Sequence, residues 1–413
     1  MDRMKPFPVV MGGEHGALPI VRTLARHALR SIVVSEDPND ITFRSRFCAK
    51  KVILEKFEAS SDGANTSSIL SLSQSLNETP VLYWGSDREA LFISRNRDKL
   101  QAHFRFLLAD GKLIEDLTDK ARFAALCHIH QLPVPETLTF RSTEEIKQSI
   151  HAIPFPCTLK PVFTEDWTSS SLKAKFGTYK HALRRIENSI DLLDYLEALP
   201  HTNKGIVLQK FIRGKDDQIF SFHGYFDNAG KLRAGFIGRK IRTNPIEFGG
   251  SAYVETAAMP DLISLSVDIC ERLGYTGIVK IDYKREPGTQ KWYLLEFNPR
   301  FTLWEQVGAW AGMNIPALWY DDLVGKHPPV MESYRSGMRW LCLAQDLRSF
   351  PAYYRSGKWS IGAWVRSYVS PKVYHTFAWN DPWPIMFSFP KFLGRKISRW
   401  KLRRVYRRNL AQE

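Results

Sequence analysis

Cysteine is scarce in this chain. Only five cysteines occur in 413 residues, and no pair has the close spacing of a metal site or a disulfide framework: Cys48, Cys127, Cys157, Cys270 and Cys342. The pattern argues against a disulfide-stabilised secreted domain and a zinc ribbon, and a reduced cytoplasm is the expected location. None of the five stands in a context typical of a nucleophile.

Long apolar runs are also missing. No stretch approaches the roughly twenty apolar residues that a membrane-spanning helix needs. Residues 1–6 lack the apolar core of an export signal. With 44% hydrophobic and 24% charged residues, the composition is that of a soluble globular protein with room for two or three domains.

Acidic residues are absent from one basic segment near the end of the chain, which explains much of the net charge of +15. Its cations are Lys391, Arg395, Lys396, Arg399, Lys401, Arg403, Arg404, Arg407 and Arg408. Aromatic and aliphatic residues lie among and before them, so residues 383–408 suit an anionic membrane surface, here the inner face of the membrane. A cationic helix packed on its own domain is the alternative. No recognition module accompanies the charge, so no specific nucleic acid is expected.

The amino-terminal glycines fall short of a dinucleotide fingerprint. Residues 8–13 form a short apolar strand that ends in glycines, and a helical pattern and a second strand at 31–35 follow. This strand-helix-strand unit predicts a Rossmann-like domain, but the spacing of Gly12, Gly13 and Gly16 does not predict NAD. The loop either attracts an anion to a helix amino terminus or only makes a tight turn.

The most informative residues lie on two predicted strands, 277–283 and 293–298. Asp282 lies on the first, and Glu296 and Asn298 alternate on the second, so both point to one face. Two carboxylates and an amide oxygen, without Cys or His, suit a hard cation such as Mg²⁺ that also holds phosphates. Arg300 follows on the same face, where a guanidinium can neutralise charge that develops during phosphoryl transfer. The alternative is an ordinary hairpin with exposed acids.

The string from Glu296 to Arg300, with Asp282 one hairpin upstream, resembles the metal-binding strand of the ATP-grasp ligases. The resemblance implies an α/β fold with a Rossmann-like domain at 1–117, an ATP-grasp lid at 118–208 and a nucleotide- and metal-binding lobe at 209–330. Residues 331–413 would form an extension with a basic carboxyl-terminal end. ATP and one or two Mg²⁺ ions, or Mn²⁺, are the implied cofactors.

The lid of this family carries two phosphate-binding lysines. Lys120, before a helix for which Thr118 is a candidate cap, resembles the first, and Lys160, in a Lys-Pro element after a strand, resembles the second. The glycine-rich flap that usually follows is replaced at 165–180 by serines and lysines, so that Ser170 and Lys173 are the candidate phosphate contacts.

The hinge at 205–217 resembles the adenine clamp of the family. Gln209, Lys210, Phe211 and Ile212 would contact the base, the backbone of Lys210 and Ile212 most directly. An ionised carboxylate accepts two hydrogen bonds, so either of two successive acids could hold the ribose hydroxyls: Asp216 or Asp217.

A basic strand lies between the hinge and the metal-binding strand. Alternation predicts that Lys240 and Arg242 point into the cleft, where, with Arg239, they would stabilise the γ-phosphate and an acyl phosphate. A solvated sheet edge is the alternative.

Within ATP-grasp, the chain is most similar to carboxylate-amine ligases of the D-aspartate ligase type. The implied reaction activates a carboxylate as an acyl phosphate and joins it to an amine. The alternatives are a reaction that stops at phosphorylation, and a membrane or nucleic-acid adaptor with a vestigial nucleotide site. The acid, the amine, the general base and the oligomeric state are left open, because one fold serves many substrates.

Overall fold

The structure is a computed structural model of the 413-residue chain, and it describes residues 5–13, 16–57, 61–162, 185–197 and 205–387. The whole predicted flap at 165–180, with Ser170 and Lys173, lies outside the described residues, and so does the basic segment after residue 387.

The amino-terminal part is built around a four-stranded parallel sheet in the order β3-β2-β1-β4. Its elements are β1 (Pro8–Met11), α1 (Ala17–Ala25), β2 (Ser31–Ser35), β3 (Cys48–Ile53), α2 (Asp62–Gln74), β4 (Val81–Trp84), α3 (Asp87–Arg95) and α4 (Arg97–Gln101). Strands β1, β2 and β4 are buried throughout, as their continuous apolar runs require of a sheet covered on both faces. The predicted Rossmann-like unit is confirmed.

Two helices connect this sheet to a second, smaller one. The helices are α5 (Gly111–Thr118) and α6 (Lys120–Ile129). The carboxylate of Asp119 caps α6 by accepting from the amides of Ala121 and Arg122, so the expectation that Thr118 is the cap is wrong. Thr118 instead ends α5, and Lys120 is the first residue of α6.

The small sheet has the order β5-β8-β6-β7 and a hydrophobic core of its own. Its elements are β5 (Thr137–Phe140), α7 (Thr143–Gln148), β6 (Cys157–Pro161), β7 (Arg185–Ile186), α8 (Ser189–Glu197) and β8 (Ile206–Lys210). This lobe therefore packs as a unit of its own, and the lid at 118–208 stays a prediction.

The largest sheet has seven strands in the order β13-β12-β9-β10-β11-β14-β15. Its strands, and the helices between them, are β9 (Ile219–Phe226), β10 (Leu232–Asn244), β11 (Gly250–Thr256), α9 (Pro260–Arg272), β12 (Gly277–Arg285), β13 (Trp292–Asn298), α10 (Glu305–Trp310), α11 (Ile315–Leu323), β14 (Arg339–Leu341), α12 (Leu343–Arg355), α13 (Ile361–Ser367) and β15 (Val373–Tyr374). Residues after 330 therefore complete this sheet with two short strands.

Helix α9 covers one face of the large sheet. It begins with Pro260, which has no amide hydrogen to leave unpaired, and it buries Leu262 and Ile269. Each such side chain contributes about 1.5–3 kcal/mol on burial. Because α9 closes this face, the opposite face of β12 and β9 is the one that remains for a site.

Aromatic contacts and a buried ion pair join the lobes. Trp84, at the end of β4, packs against Trp319 of α11 with ring centroids 5.8 Å apart. Arg22 of α1 donates from Nε to Asp381 Oδ2 at 3.0 Å, and both side chains are buried. No described helix has the length and apolarity that crossing a bilayer demands.

Candidate nucleotide and metal site

Two paired strands form the floor of the candidate site. In the antiparallel register of β12 and β13, Asp282 faces Glu296 and Lys280 faces Asn298. Side chains directly opposite one another share a face of the sheet, as do residues two apart on a strand. Asp282, Glu296 and Asn298 therefore lie side by side on one face.

Two lysines on the same face approach Asp282. Its Oδ2 accepts a hydrogen bond from Lys280 Nζ at 2.6 Å and lies 3.8 Å from Lys240 Nζ. Its Oδ1 accepts a hydrogen bond from the hydroxyl of Ser221 on β9. Burial raises the pKa of Asp282, but the two lysines outweigh burial and hold that pKa well below its usual range. The carboxylate is ionised at neutral pH.

Glu296 is exposed on this floor. Desolvation and the negative charge of Asp282 raise the pKa of Glu296. The positive charges of Lys280 and Arg300 outweigh both effects, so this pKa lies below its ordinary value. Two ionised carboxylates and the amide oxygen of Asn298 are thus presented together. These donors are the chemistry that a hard divalent cation prefers. Among the described residues no group of three or more His, Cys, Asp or Glu side chains could hold a metal, so the amide is needed to complete this set.

Arg300 is fixed by residues from two lobes. It donates from Nη2 to Asn298 Oδ1 at 2.9 Å and from Nε to Asp87 Oδ1 at 2.8 Å. Burial lowers the pKa of Arg300, but Asp87 and Glu296 raise it above its ordinary value. Sequence reasoning missed Asp87, which lies 213 residues upstream at the start of α3. No local pattern could have indicated this contact.

Helix α3 supplies a second group that the sequence did not indicate. Glu89 is buried, and its Oε2 accepts hydrogen bonds from the amides of Gly85 and Ser86 at 2.8 and 3.0 Å. Burial raises the pKa of Glu89 to about 7, although these amides and the charge of Arg300 act in the opposite direction. A carboxyl with a pKa near neutrality therefore lies next to Arg300, at the border of the candidate site.

The amino-terminal glycine loop meets the same region. A Cβ on Gly16 would lie 2.9 Å from the Cα of Gly85, so the two loops can approach only because both residues are glycine. This contact gives Gly16 a packing role. An anion at the start of α1 stays a prediction.

The two predicted lysines come together above the floor. Lys160, on β6, donates to Gln209 Oε1 at 2.7 Å, and Lys120 donates to the carbonyl of Val162 at 3.2 Å. Burial lowers the pKa of Lys160 to about 8. The positive charge of Lys120 lowers this pKa as well, whereas the negative charge of Glu296 raises it. Lys160 is therefore within electrostatic reach of Glu296 on the floor, and Lys120 lies close to Lys160.

The hinge places four predicted residues between the lid and the floor. Phe211 and Ile212 are buried, and Gln209 is held by Lys160 and by Thr137. The amide of Lys210 donates to the carbonyl of Glu136 at 2.8 Å, so this predicted adenine contact is already used within the protein. Within the described part of the chain, the Ile212 amide makes no hydrogen bond and remains the candidate donor.

Lys284 is an unpredicted neighbour of the hinge. Its Nζ lies 4.6 Å from the centre of the Phe211 ring, and the side chain is buried. Burial lowers the pKa of Lys284 to about 8, against the attraction of Asp216 and Glu247.

The structure separates the two candidate ribose acids. Asp216 is buried, and its carboxylate accepts from the Glu247 amide at 2.9 Å and from the Tyr353 hydroxyl. Asp217 is half-buried, and among the described residues its carboxylate accepts only one long hydrogen bond, from Gln218 at 3.4 Å. Asp217 is thus the better placed of the two to accept from a ligand.

The basic strand requires a correction. Alternation predicted Lys240 and Arg242 on the same face, but the pairing of β10 with β11 shifts between them. Of these two residues, only Lys240 approaches Asp282. Arg242 is fully buried, where it donates to Asp346 at 2.7 and 2.9 Å and lies 3.9 Å from the centre of the Trp364 ring. It therefore belongs to the core beneath α12.

Arg239 also lies away from the carboxylate floor. It faces Phe220 on β9, which in turn faces Tyr283 on β12. The hydroxyl of Tyr283 contacts Ser266 of α9, so this row lies on the helix-covered face. Arg239 pairs there with Glu255.

Comparison with known sequences gives partial matches. No family model matches the chain. It is 25% identical to the D-aspartate ligase of Enterococcus faecium (strain Aus0004) over 257 residues, 60% of this chain and 59% of that protein. It is 24% identical to the C-terminal section of the carbamoyl phosphate synthase large chain of Methanopyrus kandleri over 204 residues, 48% of this chain and 35% of that protein. The matches thus span less than two thirds of these curated relatives.

Solved structures share the fold over most of the chain. The biotin carboxylase domain of Hydrogenobacter thermophilus 2-oxoglutarate carboxylase, in complex with MgADP and bicarbonate, has a TM-score of 0.59 at 16% identity and covers 82% of this chain and 74% of that one. The L-amino acid ligase of Bacillus licheniformis has a TM-score of 0.58 at 15% identity, over 78% and 75% of the two chains. These matches confirm the ATP-grasp fold expected from the sequence.

Proposed function

We propose that this ATP-grasp protein is an ATP- and Mg²⁺-dependent ligase that activates a carboxylate as an acyl phosphate and joins it to an amine. The observation that carries the proposal is the shared face of Asp282, Glu296 and Asn298, approached by Lys240, Lys280 and Arg300 from the floor and by Lys160 from the lid. Oxygen donors surrounded by cations are what a metal-bound polyphosphate and a developing acyl phosphate require.

The comparisons support the same reaction class. The first curated relative is a D-aspartate ligase, one structural neighbour is an L-amino acid ligase, and another was solved with MgADP. Small carboxylates and amines are accordingly the proposed substrate classes.

The donor set fits Mg²⁺ or Mn²⁺. Both carboxylates have lowered pKa values and are ionised, and Asn298 Oδ1 accepts only one hydrogen bond, from Arg300, among the described residues. When bound, the metal would neutralise phosphate charge and orient the terminal phosphate.

The surrounding residues have distinct proposed tasks. Lys120 and Lys160 hold the nucleotide phosphates from the lid, the Ile212 amide binds the adenine edge, and Asp217 accepts from the ribose hydroxyls. Arg300 is held rigid by Asp87 and stabilises charge on the transferred phosphoryl group, together with Lys240.

The chemistry proceeds in two steps. A carboxylate oxygen attacks the γ-phosphorus, the bond to the β-phosphate oxygen breaks, and ADP leaves. The amine nitrogen then attacks the acyl carbon, inorganic phosphate departs, and the nitrogen loses a proton to give the amide. Raised positive potential from Arg300, Lys240 and Lys280 stabilises the oxyanion of the second step.

The test is a phosphate-release screen in which amino acids and sugar acids are each crossed with a panel of amines. Glu296→Gln and Arg300→Ala should abolish carboxylate-dependent ADP release. Glu271→Gln and Arg272→Ala make the same chemical changes at exposed positions on α9, behind the sheet, and should leave turnover unchanged. Wild-type turnover in either site variant would contradict the assignment.

Two alternative functions are separated by the same screen. Phosphate transfer without any dependence on an amine would indicate an enzyme that stops at phosphorylation. Tight MgATP binding without turnover across the whole panel would indicate an adaptor with a vestigial nucleotide site.

The cellular setting is a further proposal. We place the protein in the cytoplasm, with residues 383–408 attached peripherally to an anionic membrane. The support is the charge of the basic segment and its neighbouring aromatic residues.

A further inference from the structure

Helices α12 and α13 expose an unusual number of apolar side chains. The C-terminal apolar face, as we name it, consists of Leu343, Leu347, Tyr354, Ile361, Val365 and Val369, which are between 45% and 82% exposed. The first three are spaced by four and seven residues and the last three by four and four, so each group follows one side of a helix, with Val369 just beyond the end of α13. Soluble proteins seldom expose apolar residues in such continuous rows.

The two exposed rows lie next to each other. Phe350 of α12 and Trp364 of α13 pack with ring centroids 4.9 Å apart, and Tyr353 lies 5.7 Å from the same tryptophan. These contacts hold the helices side by side by their buried faces. Tyr354 of the exposed row on α12 stacks on the same Phe350, with ring centroids 5.9 Å apart, so this row lies beside α13.

The exposed charges within residues 343–387 are all positive. Residues 343–387 contain two acids, Asp346 and Asp381, and both are fully buried in pairs with Arg242 and Arg22. The cations of the same stretch are Arg348, Arg355, Lys358, Arg366 and Lys372. Lys358 is paired with Glu247, whereas no ion pair among the described residues includes Arg355 or Arg366. The surface of this stretch thus presents cations without carboxylates of its own.

Exposed aromatic residues continue the pattern toward the end of the described chain. Trp379 is 90% exposed and Trp383 is 48% exposed, and Met386 and Phe387 are also exposed. Tryptophan is the residue that most favours the boundary between lipid headgroups and acyl chains.

From these observations we propose that the C-terminal apolar face docks on an anionic lipid bilayer. Its aliphatic side chains enter the headgroup region while Arg355 and Arg366 meet lipid phosphates and carboxylates. The basic segment at 391–408 and a second copy of the protein are poorer occupants, because both bring more positive charge to a positive surface. A nucleic acid would satisfy the cations but leave the aliphatic rows in water.

The docking surface is independent of the proposed ligase activity, and so is its test. The full-length protein is sedimented with vesicles of phosphatidylcholine and phosphatidylserine, and with vesicles of phosphatidylcholine alone, at physiological ionic strength and without nucleotide. The wild type should partition onto the anionic vesicles and much less onto the neutral ones.

Substitutions at exposed positions separate the face from the rest of the chain. Leu347→Gln with Val365→Gln should weaken partition by at least about tenfold, since each aliphatic side chain loses its transfer into the interface. Arg355→Gln with Arg366→Gln should weaken it by about 25-fold, about fivefold for each cation. Ile53→Gln with Ile129→Gln replaces apolar residues that are 57% and 73% exposed elsewhere and should leave partition unchanged.

A second variant isolates the basic segment. Replacing Arg403, Arg404, Arg407 and Arg408 by Gln should reduce partition but leave a remainder that the Leu347/Val365 change removes.

If the face variants partition like the wild type, if the wild type does not bind anionic vesicles, or if it binds neutral vesicles equally, the proposal is overturned. It is also overturned if the face mediates only self-association or RNA binding.

Discussion

Glu89 should make the stability of the protein fall as pH rises toward neutrality. Burial raises the pKa of this carboxyl from its ordinary 4.5 to about 7 in the folded chain. Below the pKa of Glu89 in the unfolded chain, this carboxyl is protonated in both states, and its full contribution to the free energy of unfolding is present. Between the two values the unfolded chain ionises while the folded chain stays neutral, so stability is lost with rising pH until the folded pKa is passed. The loss amounts to about 3 kcal/mol, at about 1.4 kcal/mol for each pH unit.

The variant Glu89→Gln isolates this effect, because the amide is neutral at every pH and its oxygen can still accept from Gly85 and Ser86. The melting temperature of the wild type and of the variant is measured across the acid-to-neutral range. At acid pH the two should melt together. Above the folded pKa the variant should melt about 3 °C higher, at about 1 °C for each kcal/mol in a chain of 413 residues.

The other titrating groups are the same in both proteins, so their contributions cancel when the melting temperature of the wild type is subtracted from that of the variant. A constant difference in melting temperature across the range would refute the reasoning. So would a variant that is less stable than the wild type at neutral pH, since this result would mean that the ionised carboxylate is favoured in the folded state.

Two further perturbations test other buried charges. Asp346→Asn leaves Arg242 buried without a charged partner and should cost about 3–5 kcal/mol in thermal denaturation, whereas Asp217→Asn, at a half-buried position, should change stability by less than about 0.5 kcal/mol. Equal effects of the two substitutions would contradict the structural role of Arg242. The affinity of the free protein for ADP should fall as pH rises through about 8, because burial lowers the pKa of Lys160 to that value and only the protonated amine attracts phosphate. Calorimetry on Lys160→Met should show a weaker and flatter pH profile, and an unchanged profile would exclude this lysine from the phosphate site.

The sequence predicted the parts of the site that depend on local pattern. Asp282, Glu296 and Asn298 belong to one hairpin, so alternation within two strands was enough to put them on one face. The fold followed from the same string, because its resemblance to the ATP-grasp strand made definite demands on the rest of the chain.

The misplaced and missing residues depend on contacts that span the chain. Arg242 left the predicted face because of a bulge that arises only when β10 pairs with β11. Arg300 donates a hydrogen bond to Asp87, which lies 213 residues away in the sequence. Tyr353 donates one to Asp216, which lies 137 residues away. Strands β14 and β15 have three and two residues, which is too short for any periodicity to indicate. The positions of these residues and strands are thus set by the pairing of segments that are distant in the sequence, which local patterns do not reveal.

The central claim is that Asp282, Glu296 and Asn298 together hold a divalent cation against nucleotide phosphates. Isothermal titration of ADP into the protein, with Mg²⁺ and with a chelator, tests it most directly, using Glu296→Gln beside Glu271→Gln as the control. The account predicts Mg²⁺-dependent binding that Glu296→Gln weakens by at least about tenfold, the smallest loss expected for disturbing a metal ligand set. Nucleotide binding that is indifferent both to Mg²⁺ and to Glu296→Gln would contradict it.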